Sequence, residues 1–484
     1  MSVDFAKYRS AIDRYQKELE ALSDEIWGYA ETAFSEKKSA DAMTAFLAKA
    51  GFKVTYPAYK IDTAYYAEFG SGEPRIGILG EFDALSNLNQ VAGKTEKEAF
   101  CPGANGHGCG HNMLGVGSIA AALMAKAYLE DGHSGTVVYY GCPGEEGGSG
   151  KAFMAREGAF KDLAAAITWH PGQSNIITTD SSLANVQVLF RFKGISAHAA
   201  GCPEMGRSAL DALELMNVGT NFLREHMISQ ARIHYSIIDG GGISPNVVQN
   251  YAAALYLIRA PKVGQVQELY ERVKKIAYGA SCMTETEYEL DFVKSCANEV
   301  PNTTLEKALY QAFQEEPAPV YTEEEYALAR TYTETVPGHS NKQIGDAINN
   351  SMIPANKAFL KSVRDHRIND FIVPYEEVHL VKSMGGSTDV GDVSWMCPTA
   401  QFNTATWAPD TPGHSWQVVS QGKSSQAHKG MLYAARVMGH TAIDLFEKPE
   451  VLAAAKAEWQ EALEGETYVP IPDGVVPRSI SELK

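Results

Sequence analysis

Chemically active side chains follow three short apolar segments of this 484-residue chain and fill a glycine-rich segment between them. They are Glu81 and Asp83, Cys109 and His111, Glu145 and Glu146, and His170. Imidazole, thiolate and carboxylate groups are the ligands that divalent transition metals take in proteins. So many carboxylates in one cleft need cations to neutralise them, and the set therefore predicts a metal site.

Two spacings within this set indicate how the metal would be used. Cys109 and His111 are separated by one glycine, and alternate residues of an extended segment share a face, so we expect both to bind the same centre. The adjacent Glu145 and Glu146 allow one carboxylate to bind metal while its neighbour takes a proton from water. His107 lies on the same predicted face and is interpreted as a structural or supporting residue. The pattern is typical of a metal-dependent hydrolase.

Each of these residues also has an ordinary structural interpretation. A single buried cysteine usually packs as a small hydrophobe, and two glutamates before two glycines can simply begin a helix. A thiol nucleophile at Cys109 is another alternative, and it predicts activity that survives chelators and is lost on alkylation. The occurrence of the whole set at successive strand ends favours the metal interpretation.

Short apolar segments alternate with amphipathic helical patterns over residues 1–183, and helical patterns, a strand and a long helix return over 299–484. Such alternation predicts an α/β fold with a mainly parallel sheet, whose ligands lie beyond the carboxyl ends of the strands. Residues 184–298 instead follow the order βαββαβ, which is typical of a small α+β sandwich. We therefore expect a catalytic domain in two parts, residues 1–183 and 299–484, with an inserted domain over 184–298.

The composition limits the partners and the compartment. Net charge is −17, from 42 Lys and Arg against 59 Asp and Glu, which argues against nucleic acid or an anionic membrane as a partner. The seven cysteines are odd in number and scattered, which is typical of a reducing compartment. Residues 113–125 form the longest apolar stretch, which is too short to cross a bilayer, and the first residues lack the apolar region of a signal peptide. We expect a cytoplasmic protein.

Five motifs resemble, in order, those of the di-metal metallopeptidase family of aminoacylases and glutamate-releasing carboxypeptidases. They are GCGHN at 108–112, PGEEGGSG at 143–150, WHP at 169–171, GISAHA at 194–199 and PGHSW at 412–416. The resemblance covers essentially the whole chain. It is strongest to the amidohydrolase branch, which includes hydrolases of auxin conjugates, hippurate and p-aminobenzoyl-glutamate.

The resemblance implies a catalytic domain that holds two divalent metal ions per chain, zinc or manganese. The implied ligands are Cys109, His111, Glu146, His170 and His414. It further implies that Glu145 is the general base and that Asp83 orients a ligand. Glu81 adjoins a position where the peptidases often have a metal-binding histidine, and no role is assigned to it. Asn112 departs from the aspartate of the auxin-conjugate hydrolases, which removes a charge without changing the ligands.

For the inserted domain, the resemblance implies a lid that also forms a homodimer. His198 matches a histidine that stabilises the oxyanion, in its own site or in the partner's. Asn246 and Arg259 match positions that bind the carboxylate of the substrate, although Arg259 could equally be an edge residue in a salt bridge.

The expected reaction is cleavage of the amide bond of a small N-acyl amino acid, foremost p-aminobenzoyl-glutamate or a similar N-acyl glutamate or aspartate. The alternatives are a dipeptidase or aminoacylase of other substrate range, and a non-catalytic subunit of a heteromeric hydrolase. An unlike hydrolase subunit is therefore a further candidate partner. The presence of every implied ligand and of the base argues against the non-catalytic alternative.

Overall fold

The computed structural model describes residues 3–377, 386–479 and 482, and the chain divides into two compact units. The first unit contains the described residues 3–180, 300–377 and 393–467. The second contains residues 181–299, 386–392, 468–479 and 482.

The strands of the described residues are β1 (Lys53–Thr55), β2 (Tyr65–Ser71), β3 (Arg75–Glu81), β4 (Gly135–Cys142), β5 (Ala165–Gly172), β6 (Ser174–Ile177), β7 (Ala184–Lys193), β8 (Arg232–Asp239), β9 (Tyr251–Ala260), β10 (Glu287–Cys296), β11 (Asn369–Ile372) and β12 (Thr399–Ala405). The α-helices are α1 (Phe5–Tyr29), α2 (Lys37–Lys49), α3 (His111–Glu130), α4 (Glu145–Gly148), α5 (Gly150–Arg156), α6 (Ala209–Leu223), α7 (Val263–Thr284), α8 (Thr303–Glu315), α9 (Glu323–Glu334), α10 (Lys342–Asn350), α11 (Pro354–Val363), α12 (Val390–Ser394), α13 (Trp416–Gln421), α14 (Ser425–Glu447) and α15 (Pro449–Ala462).

The first unit is built on a mixed sheet of eight strands in the order β1-β2-β4-β3-β5-β12-β6-β11. The four central strands β4, β3, β5 and β12 run parallel to one another. The antiparallel pairs lie outside this centre, where β2 joins β4 and β6 joins β12. Strand β4 is buried along its whole length, which explains why its sequence is a continuous apolar segment. The predicted α/β class with a mainly parallel centre is confirmed.

The second unit contains a separate antiparallel sheet of four strands in the order β10-β7-β9-β8. Its elements follow one another as β7, α6, β8, β9, α7 and β10, which is the predicted βαββαβ order. Residues 386–392 and 468–479 also belong to this unit, although the sequence assigned all of 299–484 to the catalytic domain. Side-chain contacts hold them there. Tyr468 donates a hydrogen bond to Asp392 at 2.7 Å, and Arg478 forms an ion pair with Asp291 of β10.

Helix α3 is the one helix of the described residues that is long and apolar enough to cross a membrane. However, 89% of its most apolar window is buried inside the protein. It packs against β3 on one side and against α1 and α14 elsewhere. Helix α3 is therefore a core helix, and its first residue, His111, enters the candidate site.

Candidate metal centre

The residues predicted to form the metal site do meet at the carboxyl ends of the central strands. Strand β3 ends at Glu81, β5 carries His170 close to its end, and α3 begins at His111. Because β3 is parallel to both β4 and β5, the loops that follow these strands leave the sheet at the same end.

Two groups of side chains place their ligand atoms close enough to hold a metal ion. One group is Cys109, His111 and His170, the other is Cys109, Glu146 and His414, and within each group the atoms lie within 4.8 Å of one another. Cys109 Sγ is 3.4 Å from His170 Nε2, and His414 Nε2 is 3.3 Å from Glu146 Oε1. Two ligands bound to one zinc ion at about 2.0–2.3 Å lie roughly 3–3.5 Å apart. Cys109 belongs to both groups, so its thiolate would be within reach of an ion in either one.

The two histidines of the first group are oriented by oxygen atoms. His111 Nδ1 lies 2.9 Å from Asp83 Oδ1, and His170 Nδ1 lies 2.7 Å from the carbonyl oxygen of Pro171. An Nδ1–H that donates to these oxygens leaves Nε2 of each ring as the ligand atom. The other oxygen of Asp83 accepts a hydrogen bond from the backbone N–H of Glu146 at 2.8 Å. Asp83 therefore connects the two groups.

The pKa values in this cluster favour the anionic forms of Cys109 and Glu146, which are the forms that bind a cation. Burial raises the pKa of Cys109, but the neighbouring His170 and His111 lower it further, to about 6. Burial likewise raises the pKa of Glu146, and a hydrogen bond from His414 and the charge of His111 bring it down to about 2. Hydrogen bonds with Cys109 and Glu146 raise the pKa of His414 to about 10. At neutral pH the thiolate and the carboxylate are the stable forms, as a metal site requires.

Two buried atoms of the cluster, His111 Nε2 and Glu146 Oε1, make no well-aligned hydrogen bond among the described residues. Each has only an ionic contact, from Glu81 Oε2 at 3.2 Å and from His414 Nε2 at 3.3 Å respectively. Buried polar atoms without a well-aligned hydrogen bond are rare in proteins, and these two belong to the two different ligand groups. A divalent cation in each group would satisfy both atoms. The residues present therefore fit a pair of metal ions.

Comparison with known proteins agrees with this geometry. Residues 78–347 match the model of peptidase family M20/M25/M40. The chain belongs to this family. The expected metal-dependent hydrolase of C–N bonds is thus confirmed.

The relatives include proteins of nearly the same length. The chain is 47% identical over 469 residues to a p-aminobenzoyl-glutamate hydrolase subunit of Escherichia coli (strain K12), covering 96% of this chain and 97% of that one. It is 27% identical over 488 residues to Xaa-Arg dipeptidase of Homo sapiens, covering 96% and 95%. Among solved structures, a Bacillus subtilis protein described as a dinuclear metal binding peptidase of the M20 family shares the fold. Its TM-score is 0.53 at 15% identity, with 90% of this chain and 99% of that one covered.

A third group of possible ligand atoms joins Glu145 to His111 and to Glu81, which has no assigned role. Ligand atoms of Glu81, His111 and Glu145 lie within 4.8 Å of one another. Glu81 Oε2 is 3.2 Å from His111 Nε2, and its other oxygen pairs with the ammonium group of Lys151, which is completely buried. The sequence assigns no role to Glu81 and gives no sign of Lys151. Burial was the only signal that could have identified this lysine, and it is visible only in the structure.

The geometry of the GCGHN motif differs from the expectation. Gly110 has a left-handed conformation with φ +75°, and His111 already begins α3, so the prediction of an extended segment was wrong. The turn nevertheless brings Cys109 and His111 together. His107 points elsewhere, with Nε2 3.1 Å from the carbonyl oxygen of Ile26 in α1, and burial lowers its pKa to about 3. These contacts agree with a structural role for His107.

Asn112 is buried and is used for packing between helices. Its side-chain amide donates to Ser23 Oγ at 3.1 Å and to the carbonyl oxygen of Gly422 at 3.3 Å. The departure from aspartate at this position therefore concerns the contact of α3 with α1.

The remaining predicted site residues belong to the second unit. His198 is exposed, and its Nδ1 accepts hydrogen bonds from the backbone N–H groups of Ala200 at 3.2 Å and Gly201 at 3.1 Å. An Nδ1 atom that accepts two N–H groups carries no proton, so the proton of the neutral ring lies on Nε2. The carbonyl oxygen of Asn246 accepts from Ala199 at 3.0 Å, which connects its loop to that of His198.

Arg259 lies on β9, opposite Asn185 of β7 and Arg232 of β8 in the register of the sheet. Its side chain is half-buried. Among the described residues, no carboxylate forms an ion pair with it, so the salt-bridged alternative has no support in this part of the chain.

Proposed function

We propose that this M20 hydrolase cleaves the amide bond of p-aminobenzoyl-glutamate or of a closely similar N-acyl glutamate or aspartate. The observation that carries the proposal is the pair of ligand groups that share Cys109, with Glu145 beside them. Identity of 47% over almost the whole length to one of the subunits of a p-aminobenzoyl-glutamate hydrolase supports the substrate class.

The chain would hold two ions, zinc or manganese, through the two ligand groups. Cys109, His111 and His170 would bind one ion, and Cys109, Glu146 and His414 the other. When bound, such a pair polarises the substrate carbonyl and lowers the pKa of a water molecule. Asp83 would keep the groups aligned, because it contacts both His111 and Glu146.

Proton transfer is assigned to Glu145. Its carboxylate takes the proton of the attacking water and delivers it to the leaving nitrogen when the amide bond breaks. His198 would donate a hydrogen bond from Nε2 to the oxyanion that forms on the former carbonyl oxygen. The two N–H groups on its Nδ1 support this role, because they keep the proton on the nitrogen that must donate.

Recognition of the amino-acid part is assigned to Arg259 and Asn246. Arg259 and Arg232 are neighbours across β8 and β9, which gives an acidic protein a local positive surface. Among the described residues Arg259 has no acidic partner, and a guanidinium in that state is suited to bind a carboxylate in a bidentate manner. This arrangement favours substrates that end in an acidic amino acid.

The second unit is also the proposed lid and homodimer interface. Its helix α6 exposes Leu215, Val218 and Phe222, which recur at three- and four-residue spacing and so share one face. Strand β8 is at the edge of the sheet and exposes Ile237. An apolar helix face and an open strand edge are both suited to pair with a second copy of the same unit.

The proposal is tested by metal analysis and a substrate panel. The wild-type protein, Glu145→Gln and the control Glu157→Gln are assayed on p-aminobenzoyl-glutamate, other N-acyl glutamates and aspartates, and an Xaa-Arg dipeptide. Two ions per chain, turnover of the acidic substrates, and its loss only in Glu145→Gln are expected. Glu157 is a suitable control because it forms ion pairs with Lys60 and Arg156 outside the three ligand groups.

Three other results would contradict parts of the proposal. Turnover of only the Arg dipeptide would overturn the substrate assignment and keep the hydrolase assignment. Activity that survives metal removal would favour the thiol nucleophile. Because the Escherichia coli relative is named as one of several subunits, the panel is repeated with an unlike hydrolase subunit added, and inactivity in both formats would overturn the catalytic assignment.

A further inference from the structure

A short segment before α2, residues 31–36, contacts both loops that carry acidic residues of the metal centre. We name it the support segment. The carbonyl oxygen of Glu31 accepts a hydrogen bond from Ala84 N at 2.8 Å, directly after Asp83. The carboxylate of Glu31 accepts from the backbone N–H groups of Lys38 at 3.0 Å and Ser39 at 2.9 Å, at the start of α2. Glu31 therefore connects the support segment both to the residue after Asp83 and to the start of α2.

Glu36, the last residue of the support segment, is completely buried. Its Oε1 accepts a hydrogen bond from the backbone N–H of Gly144 at 2.9 Å, and its Oε2 accepts from Thr63 Oγ1 at 3.0 Å. Gly144 immediately precedes the base Glu145, and its φ of +67° is a left-handed conformation that favours glycine. Glu36 therefore holds the backbone at the turn that directs Glu145.

Phe34 of the same segment packs against the other side of this turn. A Cβ atom built on Gly144 would lie 2.8 Å from the Phe34 ring, and one built on Gly148 would lie 2.7 Å from it. The ring also meets Phe153 of α5 edge to face, with centroids 6.1 Å apart. The loop between β4 and α5 is thus in close contact with an aromatic ring that is itself packed in place.

These contacts leave Glu145 between two fixed backbone groups. Gly144 N–H donates to Glu36, and Glu146 N–H donates to Asp83 at 2.8 Å. We infer that Glu36 is a positioning residue, which fixes the direction of the Glu145 carboxylate through the backbone of Gly144. This inference rests on the proposed role of Glu145 as the base.

The protonation state of Glu36 suggests a conservative replacement. Burial and the nearby Asp83 raise the pKa of Glu36 to about 8. The group is therefore uncharged at neutral pH, and a glutamine can accept from Gly144 and donate to Thr63 in the same geometry. Alanine removes both hydrogen bonds.

The test compares Glu36→Ala with Glu36→Gln, and both with Glu458→Ala as the matched control. Glu458 also accepts from backbone N–H groups and a threonine hydroxyl, those of Thr303 and Thr304 at the start of α8, but it belongs to none of the ligand groups. Misplacing a reacting group by about 1 Å can cost 10²-fold in rate. We expect Glu36→Ala to lower kcat by about that factor with KM and metal content unchanged, while Glu36→Gln and Glu458→Ala stay close to wild type.

Hydrogen exchange provides a readout that does not depend on activity. We expect faster exchange of the amides of residues 144–148 in Glu36→Ala and protection close to wild type in Glu36→Gln. If the wild-type protein turns over none of the substrates, this difference in exchange would still support the inference, so its failure and that of the proposed function are distinguishable.

Two results would overturn the inference. One is an equal kcat in Glu36→Ala and Glu458→Ala, and the other is no rescue by glutamine. If Glu36→Ala does not fold, Thr63→Val is used instead, because valine keeps the shape of the threonine side chain and removes one hydrogen bond of Glu36. A kcat of Thr63→Val equal to that of the wild type would then overturn the inference.

Discussion

The position of Cys109 in both ligand groups makes a specific prediction about metal binding. Removing His170 takes one of three side-chain ligands from the first group and none from the second, and removing His414 does the reverse. Removing Cys109 takes a ligand from both groups. If the thiolate bound both dications it would also reduce their mutual repulsion, so its loss would weaken the binding of both ions in two ways.

The size of the effect follows from how tightly such sites depend on each ligand. Loss of a group that only orients a ligand costs about 10–100-fold in metal affinity, so loss of the ligand itself should cost at least about 10²-fold. We therefore expect about two ions per chain in the wild-type protein, one each in His170→Ala and His414→Ala, and none in Cys109→Ala. These ion counts are expected with the strongest chelator that still leaves both ions bound to the wild-type protein.

The assay is elemental analysis after dialysis against chelators of graded strength, followed by reconstitution with Co²⁺. Both histidine variants should keep the thiolate-to-cobalt absorption, since each retains Cys109 in the remaining group, and Cys109→Ala should lose it. Cys397→Ala is the control, because Cys397 is a buried thiol that lies outside the groups. One ion retained at wild-type affinity in Cys109→Ala, or loss of both ions in either histidine variant, would refute the shared-thiolate reasoning.

Four further predictions concern residues outside the two ligand groups. Asp83→Ala should weaken metal binding by about 10–100-fold in chelator competition, since Asp83 contacts both ligand groups. Ala200→Pro removes one N–H group that His198 Nδ1 accepts, so kcat should fall while metal content is unchanged; an unaltered kcat would contradict the proposed tautomer. The pKa of Glu36 is raised from 4.5 to about 8, so the folded protein binds the extra proton and its stability falls as pH rises between these values, by at most about 1.4 kcal/mol per pH unit. Glu36→Gln lacks this dependence, and its gain in melting temperature over wild type should be larger at pH 8 than at pH 5. Phe222→Asp should convert a homodimer to a monomer in light scattering, and a dimer that persists would place the interface elsewhere.

The meeting of Glu81, Cys109, His111, Glu146 and His170 at one end of the sheet could be predicted because each lies in a short motif next to an apolar segment. The inclusion of His414 followed from the resemblance alone, and the assignment of the five ligands stays a prediction. The sheet class followed from the alternation of strands and helices, and the second unit from its βαββαβ order. Strands β1, β6 and β11 were missed because they contain only three or four residues, which is too few for a periodic pattern.

Contacts between distant residues were beyond what the sequence could indicate. Glu36 and Gly144 are 108 residues apart, and a glutamate before a helix gives no sign of its partner. The same is true of Lys151 and Glu81, which are 70 residues apart and pair because the end of β3 and helix α5 lie at the same end of the sheet. Residues 386–392 and 468–479 carry little regular structure that could have assigned them to the second unit.

The supports of the centre are arranged so that metal binding and proton transfer depend on different residues. Asp83 contacts His111 in one ligand group and the backbone of Glu146 in the other, so a change at Asp83 disturbs both ions together. The side-chain hydrogen bonds of Glu36 include those with Gly144 and Thr63, and neither of these residues belongs to a ligand group. A change at Glu36 should therefore reach Glu145 without altering metal affinity. If both variants lose metal and turnover in the same proportion, the two supports act as one structural unit, and the separate role of Glu36 would have to be abandoned.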